Sequence, residues 1–79
     1  MDLQHAYALI KSALEKVSTG MSARVTEDTH LIKDGLLDSL DSMNFLFELE
    51  TMHGSRLKEI DDTFEDFRIV RLAEILMNA

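Results

Sequence analysis

Apolar residues of this chain recur at intervals of three and four in separate stretches, and no proline interrupts them. That spacing matches the 3.6-residue turn of a helix and not the two-residue period of a strand, so the predicted fold class is all-α. In the first stretch Leu3, Tyr7, Ile10, Leu14 and Val17 fall on one stripe, Asp2 can cap the start, and Gly20 supplies a permissive backbone for the end. A first helix is predicted over about 3–18. Residues 20–37, "GMSARVTEDTHLIKDGLL", mix turn formers with Val25, Leu31, Ile32, Leu36 and Leu37, and read as a long loop pinned to the core. From Ser39 to about His53 the pattern is helical again, with Gly54 as its stop. A connector, "GSRLKEIDD", leads to a short helix near "DTFEDF", residues 62–67, and then to a last helix at about 69–77 in which Ile69, Leu72, Ile75 and Leu76 share a face. The expected architecture is a small four-helix bundle, three main helices plus one short helix, with a long first loop, in a single domain spanning 1–79.

At 79 residues without cysteine, such a bundle has no disulfide framework, thiolate metal site or cysteine nucleophile, and packing alone must hold it. The missing cysteines fit a reducing, cytoplasmic setting. "MDLQHAYALIK" shows no basic lead-in to a long apolar run, and no stretch reaches the roughly 18 apolar residues of a membrane span. A soluble monomer is expected. Fifteen acidic side chains against eight basic ones give a formal charge of −7, which disfavours nucleic acid and favours encounter with basic protein surfaces.

The second helix is apolar on two sides. Advancing about 100° per residue places Phe45, Leu49 and Met52 together with Leu46 beside them, and Leu40, Met43 and Phe47 opposite. Either both stripes are core, or the second is a binding surface on which a flexible methionine and an aromatic ring give adaptable contact. Asp41, Asn44 and Glu48 flank that second stripe.

At the start of this helix Asp-Ser occurs twice, as Asp38-Ser39 and Asp41-Ser42. Asp38 stands where an N-cap belongs, which makes Ser39 the first helical residue, its hydroxyl facing solvent at the positive end of the helix dipole. A phosphodiester on that oxygen would be favourably placed.

The run "DGLLDSLDSMNFLFELE", Asp34 to Glu50, resembles the modification site of acyl and peptidyl carrier proteins, whose Asp-Ser-Leu motif receives 4'-phosphopantetheine from coenzyme A. In that family the serine opens an apolar helix ending in a Leu-Glu-like pair, as Leu49-Glu50 does when Ser39 is aligned. The loop "DTHLIKDG" and the distal "EDFRIVRLAEIL" also resemble the family's pattern, so the likeness extends over essentially the whole chain. It implies Ser39 as the covalent attachment residue and Asp38 as the acidic neighbour that helps the transferase engage it. Leu40, Asp41, Met43 and Asn44 correspond to the family's recognition helix, and Phe47 and Glu48 extend the same partner face. Aligning Ser42 instead misplaces the apolar positions, so Ser42 is expected to be an ordinary polar helix residue. The implied partners are a phosphopantetheinyl transferase, an acyl- or aminoacyl-loading enzyme, and a downstream synthase or transferase of fatty-acid or natural-product biosynthesis.

Asn44 occupies a position often filled by Glu, and the approach is Gly-Leu-Leu-Asp-Ser where bulk fatty-acid carriers usually have Gly-Ala-Asp-Ser. The approach is more similar to D-alanyl carriers and to stand-alone, specialised ones, which leaves the cargo open among an amino acid, a specialised acyl chain and a polyketide unit. The chain is not expected to be an enzyme: His5, His30 and His53 lie in separate segments without metalloprotease spacing, and no glycine-rich phosphate loop is present. The acidic pairs at 61–62 and 65–66 lack the alternating ligands and central glycine of a calcium loop. The alternative is an unmodified, acidic, helical protein-protein interaction module that uses the Leu40, Met43 and Phe47 stripe.

Overall fold

The carboxylate of Asp2 accepts from the amide of His5 at 2.8 Å and so starts α1, Leu3–Val17. A computed structural model describes residues 1–60 and 64–79 of the chain. The described residues form three α-helices, α1, α2 (Ser39–His53) and α3 (Ile69–Asn78), and one 3-10 turn at Met21–Arg24, with no strand among them. This is the expected all-α bundle with a long first loop.

α1 packs against both α2 and α3. The fully buried side chains include Ile10 and Leu14 from α1, Phe45 and Leu49 from α2, and Leu72 and Leu76 from α3. Leu31 from the first loop and Leu57 from the connector complete that layer. On α1 the buried face is centred on Ala6, Ile10, Ala13 and Leu14, while Leu3, expected on the core stripe, is 42% exposed. Ala6 and Ala13 are fully buried beside Ile10 and Leu14, so the buried stripe is rotated away from Leu3. Val25, Leu31 and Leu37 pin the first loop as expected, but Ile32 lies at the surface, 38% exposed.

Of the helix expected over 62–67, residues 62 and 63 lie outside the described residues, and 64–67 are not helical. The backbone of that segment is recruited by the first loop instead. Leu31 donates to the carbonyl of Phe67 at 3.0 Å, Ile69 donates to Thr29 at 3.0 Å, and His30 and Arg68 form an isolated antiparallel bridge. The 3-10 turn forms where a carboxylate gathers free amides: Glu15 accepts from Gly20 at 3.2 Å and Ser22 at 2.9 Å, and Gly20 takes the left-handed conformation at φ 87°. No helix among the described residues is long and apolar enough to cross a membrane.

Candidate functional site

α2 begins as its sequence predicts. Asp38 is in the extended region, its Oδ1 accepts from the amide of Asp41 at 2.7 Å, and its carbonyl accepts from Ser42 at 2.9 Å. Immediately before it, Leu37 is buried and its amide donates to Leu31 at 2.9 Å, so the cap is held from the core side as well. At the other end Gly54, at φ 87°, donates to the carbonyl of Glu50 at 2.9 Å and terminates the helix.

Between these ends the two serines of the repeated Asp-Ser differ. Ser39 is exposed on the first turn of α2. Ser42 is 5% exposed, and its hydroxyl donates to the carbonyl of Ser39 at 2.8 Å. Only the Ser39 oxygen is both accessible and without a hydrogen-bond partner among the described residues, at a helix start where free amides favour an anionic substituent. Its surroundings thus fit a phosphodiester substituent.

The two apolar sides of α2 are not equivalent. Phe45 and Leu49 are completely buried, and Leu46 and Met52 pack half-buried against the same core. Leu40, Met43 and Phe47 are 66%, 68% and 68% exposed, which overturns the possibility that both stripes are core. At about 100° per residue, Asp41, Asn44 and Glu48 all fall on one flank of the exposed stripe. Asn44 is exposed, and Asp41 and Glu48 are half-buried.

The other flank is an open groove. Ser39, Met43, Leu46 and Phe47 of α2 form one wall, and Ile32 of the first loop, Ile60 of the connector, and Phe64 and Phe67 of the segment before α3 line the other. Phe64 and Phe67 meet edge to face, with ring centroids 5.2 Å apart. Toward the C-terminal end of α2 the lining becomes polar, with Glu50, Thr51, Ser55 and Arg56. Glu50 is tied down there, accepting from the amide of Leu57 at 2.8 Å.

The structure therefore brings Asp38, Ser39, Leu40, Asp41, Met43, Asn44, Phe47 and Glu48 onto one accessible face and its edges. Sequence reasoning did not find the wall made by Ile32, Ile60, Phe64 and Phe67. The signal available for it was the isolated apolar residues Ile60, Phe64 and Phe67, each between polar neighbours, and Ile32 beside Leu31 in the loop. No family model, curated protein or solved structure matches the chain.

Proposed function

We propose that the protein is a phosphopantetheine-bearing carrier that holds an acyl or aminoacyl group as a thioester and presents it to partner enzymes, with Ser39 as the attachment residue. The observation that carries this reading is the inequality of the two serines: Ser39 is exposed on a capped helix start, and Ser42 is buried and bonded.

Asp38 holds the first turn so that the Ser39 side chain projects from a rigid element, and the free amides of that turn favour the negative charge of a phosphodiester. When bound, the group supplies a flexible arm ending in a thiol, which raises the effective concentration of cargo at a partner's active site. Leu40, Met43 and Phe47 offer the transferase, the loading enzyme and a downstream synthase or transferase an apolar contact beside Ser39. The Asp41, Asn44 and Glu48 flank favours a partner with basic groups. A cytoplasmic setting accords with the absence of cysteine.

Incubation with a broad-specificity phosphopantetheinyl transferase, coenzyme A and magnesium tests the reading. One phosphopantetheine is expected by intact mass, mapped to Ser39 by fragmentation. A chain left unloaded by every such transferase would instead be an unmodified interaction module, the second reading that the exposed Leu40, Met43 and Phe47 stripe supports.

A further inference from the structure

Among the described residues, α1, α2 and the turn that leads into α2 each open on a side chain that accepts from main-chain amides, and they do not use the same chemistry. α1 and α2 use carboxylates, Asp2 and Asp38. The turn that leads into α2 uses an imidazole: Nδ1 of His30 accepts from the amide of Lys33 at 3.1 Å and from that of Ile32 at 3.3 Å. A nitrogen that receives two N–H groups presents its lone pair, so the ring acting here is neutral with its proton on Nε2.

His30 also closes the turn with its main chain. Its amide donates to Oδ2 of Asp34 at 3.0 Å, and its carbonyl accepts from Asp34 at 2.9 Å. Gly35 then donates to Ile32 at 3.0 Å, and Leu36 and Leu37 both donate to Leu31, so the turn delivers the chain to Asp38. His30 is half-buried at the seam where the loop bridges to Arg68.

The geometry points to His30 as an acid-releasable cap that positions this turn and, through it, the Ile32 wall of the groove and the approach to Ser39. A proton on Nδ1 removes the acceptor and sets a cation against two amide dipoles. Lys33 on the same turn and Arg68 across the bridge oppose the added charge, while Asp34 on the turn and Asp66 across the bridge attract it. Asp66 is held in a fork by Arg68, with both contacts at 2.7 Å, which places a charge-neutralised pair on that side. A protonated ring is thus drawn toward a carboxylate and repelled by the amides, and in either movement Ile32 and Lys33 lose their acceptor. Leu31 and Leu37 are buried and keep the ends of the turn in place, so the loosening is local. Imidazole is the side chain whose charge ordinarily changes between about pH 5 and 8.

This inference does not rest on the carrier reading, and its test uses the unmodified full chain. Hydrogen-exchange protection factors of the Ile32, Lys33 and Asp41 amides are followed by NMR from about pH 8 to 5, alongside the titration of the His30 ring. Protection at Ile32 and Lys33 is expected to fall roughly three- to tenfold in step with ring protonation, in keeping with loss of one hydrogen bond, while Asp41 stays constant. In His30→Asn the amide oxygen can accept but does not titrate, and the fall is expected to vanish. A ring that titrates while Ile32 and Lys33 remain equally protected overturns the inference, as does a His30→Asn chain that keeps the wild-type pH dependence.

Discussion

The hydroxyl of Ser42 donates to the main-chain carbonyl of Ser39, 2.8 Å away, so one serine of the repeated Asp-Ser is spent holding the turn that displays the other. Ser39→Ala is therefore expected to abolish phosphopantetheine loading with little change in melting temperature, because the Asp38 cap remains and alanine has good helix propensity. Ser42→Ala is expected to load, with stability within about 1 kcal/mol of the parent, since a hydroxyl bonded back to its own helix contributes little net. Intact mass read beside melting curves checks both. A phosphopantetheine mapped to Ser42 would reverse the assignment.

Asp38→Ala is expected to cause two losses together. The amide of Asp41 loses its 2.7 Å acceptor, at a cost of about 1 kcal/mol, and loading slows because the first turn of α2 is less ordered. Melting temperature and initial loading rate measure the two separately. Loading slowed at full thermal stability would assign Asp38 to transferase contact alone.

The exposed and buried stripes of α2 should separate function from folding. Met43→Glu is expected to leave the helical circular-dichroism spectrum near normal and to weaken recognition by the transferase, because Met43 is 68% exposed. Phe45→Ala removes a fully buried ring and is expected to cost about 3–5 kcal/mol, a large share of the stability of a chain this small. Unfolding by Met43→Glu would contradict the exposed stripe.

Acid should loosen the end of α1 through Glu15. Main-chain amides of Ser22 and then Gly20 donate to its carboxylate and hold its pKa below the ordinary 4.5. A group lowered in the folded state stabilises it above the unfolded value, and that contribution is lost as pH falls through the lower folded one. Glu15→Gln is expected to melt below the wild type near neutrality, and the two curves are expected to converge below about pH 4.5. Melting temperatures measured from pH 7 to 3 check this, and a gap that stays constant into acid would remove Glu15 from the acid response.

Much of this protein was legible in its local sequence because caps and stops act within a few residues. Asp38 and Gly54 bound α2 wherever the helix packs, and the 3.6-residue period separates Phe45 and Leu49 from Leu40, Met43 and Phe47 without reference to the rest of the chain. The same period cannot say which of two apolar stripes meets the core, because it measures angles within one helix and not the position of its neighbours. That was decided in the packed bundle, where α1 lies against α2, Phe45, Leu49 and Ser42 are buried, and Ser39 stays exposed. Long-range pairing likewise drew the backbone around Phe67 to Leu31 in place of a helical turn, and brought Ile32, Ile60 and Phe64 to one groove. Such contacts join residues roughly thirty positions apart, and no local pattern encodes them because their free energy arises only when both segments are already in place.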